Sequence, residues 1–320
     1  MKRIQLACSV AFLLSTMAPV AQSASVTLNT SPSRQIGQPL LIPKTSHPNL
    51  VEGRELWSPN GIALDTSTSP PTIYVADTLN NRVLAWKNAT SFTSGQPADL
   101  VIGQPDQYTT TPAGPGPTGS TFSSGLWYPT GVTVYKGDLY VADSGNNRIL
   151  RYRAPFTQFA QTGSYPTPDL YIGQPSLKSA KANYPNGASG TPTAQGICLA
   201  SSSSNVMLAA IAFDASDNMW ITDPGNRRVL EFKASDIANA TVLPTAAVEL
   251  GQLDFTSLQT VLSASNANSQ FVANQFAVPS QLAFDPAGNL YVSDADATSP
   301  ASLSRVLVFA PASGTAELPF

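Results

Sequence analysis

The chain has 320 residues, a formal net charge of −3 and only 12% charged residues, about half the usual share for a soluble domain. No basic stripe runs along it, which argues against nucleic acid and anionic membrane surfaces as partners. Hydrophobic residues make up 42% of the chain, with 27 prolines and 21 glycines. This composition favours many short strands joined by turns over long exposed helices.

The N-terminus has the layout of a secretory signal peptide. Lys2 and Arg3 precede an apolar run from about Leu6 to Met17, and mostly small residues follow up to Ala24. This pattern predicts a signal peptide over residues 1–24 and a mature domain over 25–320. The alternative is an uncleaved anchor, but the apolar run is short for a bilayer. We therefore expect an extracytoplasmic protein, secreted or periplasmic, without membrane insertion.

Cysteine and histidine are scarce. Cleavage would remove Cys8 and leave Cys198 without a partner for an intramolecular disulfide. We expect a buried, inert thiol there, with an exposed reactive thiol as the alternative. The single histidine, His47, argues against a His-rich zinc centre and against Ser-His-Asp or Cys-His catalysis. We predict that His47 is not catalytic.

One pattern recurs four times along the chain. Each copy has an apolar segment, then a segment of the Tyr-Val-Ala-Asp type, then an Arg-Val-Leu type segment. The copies lie at 59–86, 129–150, 211–230 and 279–309. A second marker, Ile-Gly-Gln or Leu-Gly-Gln, punctuates them at Gly37, Gly103, Gly173 and Gly251, with spacings of 66, 70 and 78 residues. The interlocked markers indicate internal repeats.

Each repeat predicts four short antiparallel strands, termed a to d in chain order. The segments are β-branched or aromatic and are bounded by Gly, Pro, Asn or Asp. Repeated four-stranded units predict an all-β fold, a β-propeller with four-stranded blades. The fourth repeat lacks a clear strand d, whereas Ile36-Gly37-Gln38 resembles a strand d with no blade of its own. Either this segment completes the last blade and closes a four-bladed ring, or the chain is part of a larger ring.

The repeated Tyr-Val-Ala-Asp, turn and Asn-Arg-Val or Asn-Arg-Ile sequence resembles the NHL repeat. The resemblance covers about residues 58–310 and is specific for fold rather than function. It implies a propeller, commonly six-bladed, from a family that includes protein- and RNA-binding platforms, with enzymes among related propellers. The sequence departs from the family in long segments between strands d and a, at about 106–126, 176–206 and 253–277.

An aspartate and an arginine recur in every copy. We expect each Asp to cap the b–c turn through backbone N–H groups while the Arg pairs with it. The alternative is a ring of carboxylates that binds a cation. The residues are Asp77 with Arg82, Asp143 with Arg148, Asp223 with Arg228, and Asp294 with Arg305.

Aromatic residues before strand a provide the candidate binding site. They are Trp57, Trp127, Tyr128 and Phe276. In a propeller these positions approach the mouth of the central channel, where aromatic rings could stack on a sugar or a peptide. The alternative is packing between neighbouring blades.

These features favour a secreted, non-catalytic binding or scaffold module for a protein or glycan partner, held by the d–a loops of a monomer. Fold alone does not fix function. The alternative is a lactonase- or lyase-type enzyme with Ca²⁺ in the central channel; otherwise no cofactor or metal site is predicted. Several Asp, Glu or Asn side chains converging on the axis would favour the enzyme, and aliphatic or small residues would disfavour it.

Overall fold

A computed structural model of the protein describes residues 28–38, 50–114, 124–202, 205–238, 243–258, 275–296 and 303–312. The chain divides into an N-terminal unit, residues 1–33, and a second unit, residues 34–320. In the first unit, the backbone N–H of Ser31 donates to Asn29 Oδ1 at 3.1 Å. The predicted signal peptide and His47 lie outside the described residues.

Each sequence repeat folds into one antiparallel sheet whose strands follow chain order. Blade 1 contains β1 (Pro59–Asp65), β2 (Thr72–Asp77), β3 (Arg82–Trp86) and β4 (Leu100–Ile102). Blade 2 contains β5 (Pro129–Tyr135), β6 (Asp138–Asp143), β7 (Arg148–Tyr152) and β8 (Leu170–Ile172).

The second half of the chain repeats this plan with one insertion. A two-stranded hairpin, β9 (Ala200–Ser202) and β10 (Asn205–Val206), precedes blade 3. Blade 3 contains β11 (Ile211–Phe213), β12 (Met219–Asp223), β13 (Arg228–Phe232) and β14 (Val248–Leu250). Blade 4 contains β15 (Pro279–Phe284), β16 (Leu290–Asp296) and β17 (Leu303–Phe309).

The turn between strands b and c is a single 3₁₀ turn in blades 1 to 3. These turns span Thr78–Asn80, Ser144–Asn146 and Pro224–Asn226. A residue in the left-handed conformation ends each turn: Asn81 (φ 55°), Asn147 (φ 51°) and Arg227 (φ 55°). Asn tolerates this conformation better than other side chains do, which explains the repeated Asn-Asn pair. The turn brings strand c back along strand b in register, as in the pairing of Asp143 with Arg148.

Two short α-helices lie between strands c and d, α1 (Pro155–Thr162) in blade 2 and α2 (Ala234–Ala238) in blade 3. Pro155 opens α1, and Gly163, with φ 64°, follows its last residue. In the described part of the chain, no helix has the length and hydropathy needed to cross a membrane.

The sheets pack face to face as blades of a β-propeller, which confirms the predicted fold class. One apolar cluster joins blades 1 and 2 through residues such as Tyr74 and Val141, and a second joins blades 2 and 3 through residues such as Tyr140 and Ile221. A third, which includes Val229 and Val292, joins blades 3 and 4. Burial of these strand faces is the main stabilising contribution of the fold.

The last blade has three described strands, and the N-terminal Gly-Gln segment does not pair with it there. Gly37 instead forms a parallel bridge with Glu55, just before blade 1. The backbone N–H of Leu56 donates to the Gly37 carbonyl at 3.3 Å. The same contact joins Leu126 to Gly103 at 3.1 Å. The segment therefore precedes blade 1 in the way that strand d of blade 1 precedes blade 2. The described residues do not form the closure onto β17, which was one of the two arrangements that the sequence left open.

Candidate functional site

A polar cluster stands at the b–c end of every blade, fully buried in blades 1 to 3, and blade 2 shows its geometry. Asp143 Oδ1 accepts the backbone N–H of Trp127 at 2.7 Å. Its Oδ2 accepts Asn146 Nδ2 at 2.8 Å and Arg148 Nε at 2.7 Å. Asp143, Asn146 and Arg148 are completely buried. A buried ion pair of this kind is sustained by the additional hydrogen bonds around it.

The other blades repeat the pair with small variations. The Nε–Oδ2 distances are 2.8 Å for Arg82–Asp77, 2.7 Å for Arg228–Asp223 and 3.0 Å for Arg305–Asp294. The sequence predicted that each Asp caps its own b–c turn, and the structure corrects this. In the described turns of blades 1 to 3, no side-chain cap is formed. The Asp binds the backbone of the segment that enters its blade instead, at Trp57, Trp127, Cys198 and Ala277.

The arginines also hold the loops on both sides of their blade. Arg148 Nη1 donates to the carbonyl of Leu177 at 3.0 Å, and its Nη2 donates to the carbonyl of Gly125 at 2.8 Å. One loop leaves blade 2 and the other enters it. Since the Asp oxygens are occupied by Arg, Asn and backbone donors, they are not arranged as a carboxylate ring for a cation. In the residues that the structure describes, no three His, Cys, Asp or Glu side chains group as metal ligands.

Strands a of all four blades line a central cavity of about 280 Å³. Its walls carry Ile62, Val132, Ile211 and Leu282, with glycines at Gly61 and Gly131. Polar groups come from Asn60, Thr130, Thr133 and Gln281, and none of the described lining residues is a carboxylate. Polar groups therefore make up most of the surface that the described residues expose to the cavity, and none of them is ionised.

A second cavity, of about 330 Å³, lies at the b–c end of blades 1 and 2 and shares two residues with the channel, Asn60 and Thr130. We call it the mouth pocket. Tyr128 provides its aromatic surface. Its lining residues are Ser58, Asn60, Thr78, Leu79, Tyr128, Thr130, Val206 and Leu208. None of these side chains is charged at neutral pH.

Hydrogen bonds between blades fix the walls of the mouth pocket. Asn60 Nδ2 donates to Thr78 Oγ1 at 2.9 Å, and Thr78 Oγ1 donates to the carbonyl of Pro129 at 2.7 Å. The backbone N–H of Tyr128 donates to Asn81 Oδ1 at 2.9 Å. Tyr128 has φ 48°, an uncommon conformation for a bulky residue. The turn of blade 1 thus holds Tyr128 of blade 2 in place.

The four predicted aromatic residues separate into different environments. Tyr128 is half-buried and lines the mouth pocket, and Trp57 is 53% exposed beside Ser58. Trp127 is only 8% exposed. Phe276 is completely buried, with its ring 5.8 Å from the Phe309 ring. For Trp127 and Phe276 the structure thus corrects the expectation of stacking surfaces, because both rings are already packed inside the protein.

The neighbouring residue explains why Trp57 and Trp127 differ at equivalent positions. In blade 2 the Trp127 ring lies over Gly145, where a Cβ would come within 2.5 Å of its Cδ2 atom. In blade 1 the equivalent residue is Leu79. The backbone N–H of Leu79 donates to the Trp57 carbonyl, just as the N–H of Gly145 donates to the Trp127 carbonyl. A leucine side chain occupies the space that the indole would need.

Sequence reasoning missed the polar half of the mouth pocket. Ser58, Asn60, Thr78 and Thr130 belong to the repeats, where they are hard to distinguish from ordinary turn residues. The signal that could have indicated them is position, since Asn60 and Thr130 follow Pro59 and Pro129 at the start of strand a. These positions meet at the axis only after the blades have packed.

Cys198, the cysteine among the described residues, is unsuited to nucleophilic chemistry. Cys198 is 2% exposed, and burial, with a smaller effect of the Asp223 carboxylate, raises the pKa of its thiol to about 12. Its backbone N–H donates to Asp223 Oδ1 at 2.7 Å. The thiol therefore stays protonated at neutral pH and packs as a small apolar side chain.

A family comparison matches the second repeat. The model for the NHL repeat matches residues 126–152, from the loop before strand a through strand c of blade 2. The chain carries an NHL repeat. Together with the four antiparallel blades, this match supports the resemblance to the NHL repeat seen in the sequence. No curated protein matches the chain significantly.

The solved structures similar to this chain come from proteins of different kinds. A streptogramin B lyase is 10% identical, with a TM-score of 0.35, and the match covers 79% of this chain and 54% of that one. A chain of a nidogen–laminin complex is 18% identical, with a TM-score of 0.36 and coverage of 76% and 58%. An auxiliary nutrient binding protein from Bacteroides ovatus is 12% identical, with a TM-score of 0.41 and coverage of 80% and 50%. The chain spans little more than half the length of these proteins.

Proposed function

We propose that this NHL-repeat propeller is a non-catalytic, extracytoplasmic binding module that holds a neutral glycan in the mouth pocket. The observation that carries the proposal is the mouth pocket itself, with one aromatic ring, Tyr128, among hydroxyl and amide groups. Extracytoplasmic location rests on the N-terminal sequence pattern. A protein partner is the other ligand class that the sequence leaves open.

The chemistry of the pocket favours a neutral, hydroxyl-rich ligand. Sugars present apolar C–H faces that stack on aromatic rings and hydroxyls that bind side-chain amides and hydroxyls. Tyr128 supplies the ring, while the exposed side chains of Ser58 and Asn60 supply polar groups. An ionic ligand would find no opposite charge among the lining residues, so charge does not contribute to recognition.

The channel residues do not fit a Ca²⁺-dependent lactonase or lyase. Calcium takes six to eight oxygen ligands, usually including carboxylates. The described channel lining contains amides and hydroxyls but no carboxylate. A Ca²⁺ titration with an EDTA control tests this alternative, because a ligand at 100 times its dissociation constant stabilises the folded state by about 2.7 kcal/mol. A Ca²⁺-dependent rise in the melting temperature, reversed by EDTA, would favour the enzyme.

The binding proposal is tested on a glycan array followed by calorimetry with the neutral oligosaccharide that binds best. We expect Tyr128→Ala to weaken binding about tenfold or more, because it removes the stacking surface, a loss of about 1.4 kcal/mol or more. Asn60→Ala should weaken the same binding through loss of an amide.

The matched control is Tyr108→Ala. Tyr108 is 71% exposed in the loop after β4 and does not line the mouth pocket. Its replacement should leave affinity unchanged. Equal losses for Tyr108 and Tyr128, or no glycan binding at all, would contradict the proposal, and retention of a purified protein partner through Tyr128 would replace the glycan with a protein.

A further inference from the structure

A separate cavity of about 390 Å³ lies at the opposite end of blades 1 and 2. It stands beside the β1–β2 turn, the end of β3 and the start of α1, so it faces away from the mouth pocket. We call it the basal pocket. Its volume lies in the range of small-molecule sites, about 300–1,000 Å³.

Apolar groups dominate the basal pocket. Tyr74, which is 2% exposed, lies at its inner side, and Pro70, Pro155 and Phe156 line it with apolar surface. The Tyr74 and Phe156 rings are 6.2 Å apart between centroids, at an interplanar angle of 53°. Because Tyr74 is packed in the core, the accessible ring is that of Phe156, which together with Pro70 suits a flat or extended apolar body.

A single cation stands at this apolar surface. Lys87 is exposed, and its Nζ lies 5.4 Å from the centroid of the Phe156 ring. Among the described ion pairs, none involves Lys87. The nearby carboxylate of Asp99 accepts the backbone N–H of Lys87 at 2.8 Å. The ammonium group therefore keeps its charge available for a ligand beside a weakly solvated wall.

Asp65 is the acidic residue of the pocket, and its contacts decide the sign of the ligand. It is only 5% exposed, and its Oδ1 accepts both the backbone N–H of Ser67 at 3.0 Å and the Ser67 hydroxyl at 2.5 Å. These bonds fold the carboxylate into its own turn. Lys87 is thus the charged group that the described lining residues expose to a ligand.

From this arrangement we infer that the basal pocket binds a small carboxylate with an apolar or aromatic body, its carboxylate on Lys87 and its body against Phe156 and Pro70. In an apolar cavity with few polar groups at its rim, burial of the ligand's apolar part provides the favourable free energy of binding, and the charged group fixes the ligand's orientation. This site is independent of glycan binding at the mouth pocket.

The test uses 4-phenylbutyrate as the probe, with calorimetry for affinity and NMR shifts for location. Three further compounds separate the contributions: 4-phenylbutan-1-ol keeps the body without charge, 4-phenylbutylamine reverses the charge, and acetate keeps the head without the body. We expect 4-phenylbutyrate to bind at least tenfold more tightly than each of them. Shifts should fall on residues around α1 and the β1–β2 turn.

Lys87→Met should weaken 4-phenylbutyrate binding at least fivefold, because it keeps the aliphatic chain but removes the charge. Lys178→Met is the matched control, since Lys178 is an exposed lysine outside the pocket, and it should have no effect. Tyr128→Ala should also leave this binding intact, which separates the site from the mouth pocket. Equal binding of the alcohol, preferential binding of the amine, or insensitivity to Lys87→Met would each overturn the inference.

Discussion

At the scale of single residues, the main feature is a charged pair that recurs in every blade and is fully buried in blades 1 to 3. Arg82, Arg148 and Arg228 are among the largest fully buried side chains. Replacing such a pair with apolar residues can be neutral, whereas removing one partner leaves an uncompensated buried charge and costs about 3–5 kcal/mol. The pair therefore specifies how the loops join the blade more than it stabilises the fold.

Glu249 is a buried carboxylate that departs from this pattern. Its side chain is 5% exposed, and Arg228 Nη1 lies 3.8 Å from its Oε2. Neither carboxylate oxygen has a hydrogen-bond partner among the described residues. Burial raises the pKa of Glu249 to about 7, Arg228 opposes the increase, and Asp223 and Asp254 add to it.

We predict that Glu249 makes the protein less stable as the pH rises. The folded-state pKa of about 7 exceeds the ordinary value of 4.5, so the folded protein binds this proton more tightly than the unfolded chain. The contribution is complete below about pH 4.5 and is lost as the pH rises through 7. Relative to Glu249→Gln, the wild type should lose about 1–3 kcal/mol between pH 5 and pH 8.

Urea unfolding at the two pH values measures this difference, and Asp236→Asn, at an exposed helix position, controls for the general effect of removing a carboxylate. Parallel pH profiles for the wild type and Glu249→Gln would show that Glu249 titrates normally.

Residue roles were only partly predictable from the sequence. The Asp–Arg pairing follows from its recurrence at a fixed offset in three copies, since strands b and c run antiparallel across one turn. The backbone partner of each Asp lies 16 to 25 residues upstream, which local turn chemistry does not indicate. The burial of Trp127 depends on Gly145 beside it, a contact that becomes evident only in three dimensions.

At the scale of elements, the Gly-Gln marker joins strand d to two neighbours. Gly103 has φ 90°, and a Cβ there would lie 2.3 Å from Leu126 Cγ. Gln104 Nε2 donates to the carbonyls of Asn81 at 2.8 Å and Thr111 at 2.9 Å. Gln174 makes the equivalent bonds in blade 2. The marker thus fixes strand d to the b–c turn of its own blade and to the following loop.

Gly103→Ala should therefore destabilise the protein by more than the cost of placing a non-glycine residue at this positive φ. A non-glycine residue at this positive φ costs about 1–3 kcal/mol, and overpacking against Leu126 adds about 1–3 kcal/mol. Gly163→Ala is the matched control, because Gly163 also has a positive φ, 64°, but has nothing within 4 Å of a Cβ. Chemical denaturation of the two variants gives the difference, and equal losses would show that Leu126 moves aside without cost.

The strands were largely predictable, and the connections were not. Strands a, b and c follow from β-branched segments bounded by turn residues, as in 129–150. The hairpin β9–β10 consists of small and polar residues, which carry no alternating apolar pattern. Helix α1 likewise occupies a connection that the repeat pattern does not cover.

At the scale of the whole molecule, the two faces of blade 4 differ. One face packs on blade 3 through Leu290 and Val292. The other presents Tyr291, Val306 and Val308, which are 37%, 59% and 53% exposed. The equivalent tyrosines in blades 1 and 2, Tyr74 and Tyr140, are 2% and 4% exposed because the next blade covers them.

We predict that this face causes weak self-association, in contrast to the monomer expected from the sequence. Exposed β-branched residues on a strand whose outer edge pairs with no described strand favour contact between molecules. In sedimentation at increasing concentration, the average mass of the wild type should rise, and the Val306→Lys, Val308→Lys double variant should remain monomeric. Leu253→Lys replaces an isolated residue that is 77% exposed and should behave like the wild type. Association that persists unchanged in the double variant would exclude this face.

The repeat count was predictable, but the way in which the ring ends was not. Four copies of one pattern give four blades, because each copy encodes its own hairpins. Whether Ile36-Gly37-Gln38 meets β17 depends on how the blade angles accumulate, which no local sequence pattern encodes. The mouth pocket was not predictable from the sequence for the same reason. Asn60 and Tyr128 belong to different repeats, which meet only when the blades pack.

The arginine contacts at the loop bases have a consequence for how this scaffold could change over evolution. Arg148 donates hydrogen bonds to one carbonyl in the loop that enters blade 2 and to another in the loop that leaves it. Both acceptors are main-chain atoms, which every amino acid possesses. The anchor therefore tolerates almost any loop sequence between its fixed ends. Recognition surfaces could diversify by substitution or insertion there while the blades stay constant, much as antibody frameworks carry variable loops.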